Sequence, residues 1–349
     1  LGVNAGDSIA SGGNYNVCVG DEAGTAISTG DNNTAVGYQA LDAEDTGGNS
    51  TAIGHKALSS QNNDDVNTYN TAVGSEAAIT LTTGKQSVFV GGQAAKFATT
   101  ATSSTFVGHK AGLGVEGTPL TGNSNTAIGQ QAGLALQGAA TLNTFVGKGA
   151  GSLVTTGSYN TVLGSNALGA DAGNSNVAVG YQAGKDNTAA NNVFVGMEAG
   201  LSNSSGTSNV MMGFDAGRFA TTADSSVFIG TDAANGITGT KLTGNLNIAI
   251  GDRAAKNIQG AAVANTFVGG LSGGNGTLTG THNTALGAET LYALTSGANN
   301  TIMGYQAGAK ITTGDSNVAI GREALETEDV GSQSVAIGYA ALQLQNVDG

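Results

Sequence analysis

A nine-residue phrase, Asn/Ser-(Thr/Val)-x-(aliphatic)-Gly-x-x-Ala-(Gly/Leu), is written nineteen times along this chain of 349 residues. Its central glycines are Gly20, Gly37, Gly54, Gly74, Gly91, Gly108, Gly129, Gly147, Gly164, Gly180, Gly196, Gly213, Gly230, Gly251, Gly269, Gly287, Gly304, Gly321 and Gly338. Successive glycines lie 16 to 21 residues apart, most often 17. A short period sustained along a chain is the signature of a solenoid, in which each unit contacts only its neighbours. It argues against a compact enzyme domain. The expected organisation is one repeat body over residues 14–345, with a lead-in at 1–13 and a tail at 346–349.

Numbered from its glycine, each repeat carries an aliphatic residue at −1 (Val36, Ile53, Leu163) and a β-branched residue at −3 (Thr34, Val88, Ile248). Side chains alternate along a strand, so −3 and −1 share one face and −2 takes the other. Position −2 is most often Ala or Phe, as in Ala35 and Phe89. Both faces are therefore apolar, as in a strand buried on two sides. No segment sustains an apolar period of 3.6. The fold class is all-β, an elongated β-solenoid or β-roll of about 19 short coils. At ~4.8 Å per coil it would be roughly 90 Å long.

Position −4 is Asn in fourteen copies and Ser in five, and stacked coils would bring these side chains into a ladder. The glycine implies a positive φ, or a neighbour too close for a Cβ. Position +3 is Ala in seventeen copies, which implies a tight corner or a close contact between chains. A longer repeat lies on top. Phe97-Ala-Thr-Thr-Ala101 recurs as Phe219-Ala-Thr-Thr-Ala223, an offset of 122 residues, and both copies contain a 21-residue coil. The extra residues, at 113–123 and 235–245, must leave the coil as loops.

Net charge is −13, which opposes binding to nucleic-acid phosphates or to anionic membrane surfaces. No apolar run approaches the ~20 residues of a membrane-spanning helix. The chain begins at Leu1, without Met or a signal peptide, and so reads as a fragment or a processed product. Collagen is excluded, because it needs Gly at every third position and abundant proline, and Pro119 is the single proline here. Cys18 is the single cysteine and occupies a −2 slot as a small apolar filler.

The phrases Asn33-Thr-Ala-Val-Gly-Tyr-Gln-Ala-Leu41, Ser50-Thr-Ala-Ile-Gly-His-Lys-Ala-Leu58 and Ser334-Val-Ala-Ile-Gly338 resemble two related groups. One is the head repeat of trimeric autotransporter adhesins of the YadA type. The other is the repeat of bacteriophage tail fibres. The resemblance covers about residues 14–345. It implies a parallel homotrimer of β-rolls, with the aliphatic pair filling the coil and small residues facing the trimer axis or the next turn. The YadA-type period is nearer fourteen, so the period of 17 favours the phage group. The implied partners are other virion tail proteins and a host cell-surface glycan or protein. The implied location is a virion tail fibre, or alternatively a bacterial cell surface.

Other chemistry is weakly signalled. Gly112-Leu-Gly-Val-Glu-Gly117 matches GxGxxG, but Pro119 follows where the fingerprint needs a helix. Gly270-Leu-Ser-Gly-Gly274 matches GxSxG, but Ser272 is the +3 residue of a repeat and no helix supports an elbow. His55 and His109 sit at the permissive +1 slot, so a zinc site is not expected. Acidic clusters at 42–45, 64–65 and 326–329 read as solvated loops, with Asp64, Asp65, Glu328 and Asp329 as the ion candidates. The split of position −3 between Thr and Val/Ile argues against an ice-binding hydroxyl array. A glycan-cleaving tailspike would need a carboxylate pair across a groove. No catalytic residue and no cofactor is assigned. The expected function is a structural or adhesive fibre shaft, with candidate contact loops at Val115, Glu116, Thr118, Pro119, Thr238 and Lys241 and in the insertion at 64–69. The alternative is the head of a bacterial trimeric adhesin.

Overall fold

The protein is described by a computed structural model covering residues 2–64, 67–274 and 276–345. It is an all-β parallel solenoid with one three-residue strand per turn. Among the described residues there is no helix. The chain divides into two compact units, Leu1–Ser175 and Asn176–Gly349. The first holds nine strands, β1 (Val17–Val19) to β9 (Thr161–Leu163). The second holds ten, β10 (Val177–Val179) to β19 (Val335–Ile337). Within each unit every strand pairs in parallel with the next, and equivalent positions face each other. Thr34, Ala35 and Val36 stand opposite Thr51, Ala52 and Ile53.

The central glycines meet both expectations. Their φ values run from 125° at Gly338 to 149° at Gly164. A Cβ on Gly37 would lie 2.5 Å from the carbonyl oxygen of Gly54 in the next turn. Two further left-handed residues follow at +2 and +4, such as Gln39 (φ 51°) and Leu41 (φ 53°). Gln and Leu have no intrinsic liking for this region. Ladder bonds hold them there: Gln39 N–H donates to the Asp21 carbonyl of the preceding turn, and Leu41 N–H to the Ala57 carbonyl of the following one, both at 3.0 Å.

The strand's two faces are assigned the other way round from the expectation. Position −2 fills the coil: Ala35, Phe89, Phe145, Phe194 and Phe267 are fully buried. The −3/−1 pair lies on the outside, with Val17 at 49%, Ile53 at 39% and Leu163 at 51% exposure. The period of two was right and the sidedness reversed. The physical cause is the narrow corner after each glycine, where the +3 alanines sit fully buried beside −2.

Volume inside the coil is shared between −2 and +4. A Cβ at Gly151 would lie 2.7 Å from the Phe145 ring, and one at Gly273 would lie 2.7 Å from the Phe267 ring. Leucine occupies +4 only beside a smaller −2 residue, as in Ala35/Leu41, Ala52/Leu58, Val162/Leu168 and Ala285/Leu291. A further buried column stands at +7, with Ile27, Leu81, Leu136, Leu294 and Ile311.

The asparagine ladder is present in both units. Asn143 Nδ2 donates to Asn125 Oδ1 (3.1 Å), and Asn283 Nδ2 donates to Asn265 Oδ1 (3.1 Å). The same oxygens accept backbone N–H groups of the next turn, Asn125 Oδ1 from Asn143 N and Asn265 Oδ1 from Asn283 N. A second amide hydrogen reaches a loop carbonyl, as in Asn33 Nδ2 to Gly47 O at 2.9 Å. Burying polar groups this deep is costly unless they are bonded.

Two of the acidic clusters depart from the solvated-loop expectation at one residue each, while Asp45 and Asp64 are exposed as expected. Glu44 and Glu328 occupy the +7 core column and are fully buried. Glu44 Oε2 accepts from Gln61 Nε2 (2.7 Å), and its Oε1 accepts from Gly47 N (2.8 Å). Glu328 Oε1 likewise accepts from Gly331 N (2.7 Å). Burial holds the Glu44 carboxyl above its ordinary range, against the lowering effect of the bonds from Gln61, Gly47 and Asn63.

Two outcomes are expected. Phe145→Ala should cost about 3–5 kcal/mol. Gly151→Leu alone should also destabilise, while the double variant should recover part of both losses. Denaturant titration, with hydrogen exchange in the adjoining turns, reads this coupling. The second concerns Glu44. Its folded carboxyl titrates above its unfolded value, so folding favours the protonated form. Its contribution is greatest below the unfolded value and falls as pH rises through the folded one. Acidification from neutral pH towards the ordinary carboxylate range should therefore raise the midpoint for the turns around Glu44. Converting the pair to leucine (Glu44→Leu with Gln61→Leu) should remove that response, and an unchanged pH profile would refute the assignment.

Candidate contact surfaces

Three features of the outer surface are built by the repeat. The first is the outward face of the strands. Because −1 is aliphatic and −3 is Thr, Val or Ile in every turn, each unit carries a row of half-exposed Val, Ile, Leu and Met side chains and Thr methyl groups along its sheet. Positions +1 flank that row. In the second unit Tyr181, Met197 and Phe214, from three successive turns, are each more than two-fifths exposed. Arg322 lies between the rings of Tyr305 (5.6 Å) and Tyr339 (6.0 Å). In the first unit Tyr38 stacks on His55 at 5.6 Å. Exposed apolar rows of this kind are candidate interaction surfaces.

The second and third features are hairpins, one in each unit. They are the loops that the duplication predicts. Val115 and Thr118 form an antiparallel bridge, as do Ile237 and Thr240, 122 residues later. Each hairpin is anchored by parallel bridges on either side, Ala98–Leu120–Gly138 in one and Ala220–Leu242–Gly260 in the other. Val115, Glu116, Thr118, Thr238 and Lys241 are exposed, and Pro119 is half-buried.

Sequence reasoning did not single out what lies beneath the hairpins. Phe97 carries Lys96 Nζ at 5.4 Å above its ring, and Lys96 pairs with Glu76 at 2.9 Å. Phe219 carries Arg218 at 5.3 Å, and Arg218 pairs with Glu198 at 2.8 Å. The hydrogen bond from Lys96, with a second from Gln93, holds the Glu76 carboxyl below its ordinary range. The signal was the duplicated Phe-Ala-Thr-Thr-Ala, visible as a repeat but silent about the ring and its cation.

The ion candidates are not brought together. Asp64 is exposed and Asp65 lies outside the described residues. Glu328 points into the coil, whereas Asp329 accepts a hydrogen bond from Thr312 Oγ1. Among the described residues no group of three or more His, Cys, Asp or Glu side chains could hold a metal ion. The GxGxxG segment enters the first hairpin. Ser272, within GxSxG, is buried with its hydroxyl 2.7 Å from Thr290 Oγ1, and His282 is exposed. His55 and His109 are exposed. Cys18 is half-buried, and burial pushes its thiol pKa up. Among the described residues no helix is long and apolar enough to cross a membrane. No protein-family model matches this sequence, and no curated protein shows a significant match to it.

Proposed function

We propose that the chain is part of an adhesive fibre shaft, a bacteriophage tail or side fibre, that assembles as a parallel homotrimer and reads a host-surface glycan or protein. The observation that carries this reading is the apolar outer face of the strands. A solenoid alone in water has no use for a β-branched and an aliphatic residue on the solvent side of every turn. Ladder spacing is the same in every copy of the chain, so copies aligned in parallel match their rows turn by turn. Three-fold rotation closes such a contact without leaving a free row. Burial of these rows would contribute ~25 cal/mol per Å². In this reading the shaft sits among other virion tail proteins, and the hairpins are its protruding elements.

The test is the mass in solution. Sedimentation equilibrium should give about three times the chain's 34.0 kDa, and a monomer would overturn the trimer. Ile53→Glu combined with Ile128→Glu should lower the mass to one chain, because buried carboxylates on the shared face cannot be solvated. Circular dichroism should stay that of the parent, since these side chains lie outside the coil.

A further inference from the structure

The first hairpin roofs a cleft of about 250 Å³, lined by Thr80, Phe97, Thr99, Val115, Glu116 and Pro119. It is built in advance of any ligand. Thr118 N–H donates to the Val115 carbonyl (3.2 Å), Gly114 N–H to Leu134 O (3.1 Å) and Leu120 N–H to Phe97 O (3.1 Å). Thr118 Oγ1 donates to Gln137 Oε1 at 2.5 Å. A Cβ on Gly114 would lie 3.1 Å from Phe97 Cβ, so glycine there lets the hairpin close over the ring. Sites fixed this way lose little entropy on binding.

Size and chemistry narrow the occupant. The volume lies just below the ~300–1,000 Å³ of drug-sized pockets, which suits a single substituted ring. Phe97, Pro119 and Val115 give an apolar floor and wall. Glu116 and the hydroxyls of Thr80 and Thr99 supply oxygen acceptors at the rim. The one ionised lining group is a carboxylate, which repels anions. Cations are disfavoured for another reason: the Lys96 ammonium already stands 5.4 Å above the Phe97 ring. A second cation on that ring would meet like charge and a quadrupole already engaged. What remains is a neutral ring with one C–H face and a rim of hydroxyl donors.

Resting on the fibre reading above, we propose that this cleft is a carbohydrate site that takes one neutral pyranose unit. Its C–H face packs on Phe97 and Pro119, and its hydroxyls donate to Glu116. The second hairpin is a natural control. It keeps Phe219 beneath Arg218, but Thr238 and Lys241 stand where the first has Glu116 and Pro119. It lacks both the carboxylate and the proline wall.

The test uses the full chain. Saturation-transfer NMR and calorimetry would be run with the methyl glycosides of glucose, galactose, mannose and N-acetylglucosamine, and with choline and acetate as charged probes. At least one glycoside should bind saturably, and choline and acetate should not. Glu116→Ala, an exposed change that leaves the fold intact, should weaken binding at least fivefold. Phe97→Ala should abolish binding and Phe219→Ala should leave it unchanged. Absence of saturable binding by every glycoside overturns the proposal. So does binding indifferent to Glu116→Ala, or tighter binding of choline. A chain that sediments as a trimer yet binds no glycoside removes this cleft and leaves the fibre reading standing. Binding by a monomer does the reverse.

Discussion

The glycine column is the constraint on which the rest of the structure depends. At most central glycines the backbone of one turn rests directly on the backbone of the next, and a Cβ at Gly54 would lie 2.4 Å from the Gly74 carbonyl oxygen. No side chain can stand in that column, and no other residue adopts its φ without strain. Register follows from this. A strand shifted by one residue would bring a β-carbon into the column and also turn its −2 residue out of the core. The turns vary between 16 and 21 residues, yet all keep a three-residue strand in the same alignment. Length variation is forced onto the return segment, where the hairpins leave the coil.

Inside that frame the core is solved turn by turn. Where −2 is Phe, +4 is Gly or Ala, and leucine at +4 is confined to turns with Ala or Val at −2. A coil this narrow holds one large side chain at that level, in keeping with the close packing of protein interiors. The asparagine column does the corresponding work for polar groups. Each side chain caps a backbone N–H of the next turn and a carbonyl of its return loop, so a residue that would ordinarily end a strand becomes a tie between turns. Glu44, by contrast, places a carboxylate in the +7 column, where Gln61 of the next turn donates to it. Its bonds are met, but burial still raises its pKa, and the same slot is Ile or Leu in other turns.

Much of this was legible in the residues. The −3/−1 alternation marked the strands, the glycine marked the close approach, Asn33 and its equivalents marked the ladder, and the 122-residue offset marked both hairpins. Sidedness was not. A strand with Thr-Ala-Val reads as apolar on both faces, and nothing local says which face a closed coil will enclose. That is decided by the corner, whose left-handed residues Gln39, Leu41 and Lys56 carry no left-handed propensity and are held there by bonds to neighbouring turns. The acidic loops misled for a related reason. Asp42–Asp45 is written like a solvated run, but the +7 column passes through it and takes Glu44 inward. Phe97 and Phe219 were visible as a duplicated word, while their role as ring floors depends on hairpins folded over them from the next turn.

The same nearest-neighbour architecture explains where specificity can accumulate. A substitution at −2, +4 or the glycine is felt by two adjoining turns at once, because each of those positions touches its equivalents above and below. The turn glycines of the hairpins stand clear of the neighbouring turns: a Cβ at Gly117 or Gly239 meets no atom within 4 Å. Duplication therefore delivered two copies of one platform, each an aromatic ring under a paired cation. The tips were left free to diverge, to Glu116 and Pro119 in one unit and to Thr238 and Lys241 in the other. The frame that fixes every strand to its neighbours is what makes that divergence cheap. Chemical differences between the two units should thus be sought on the hairpins, above cores that obey the same packing rule.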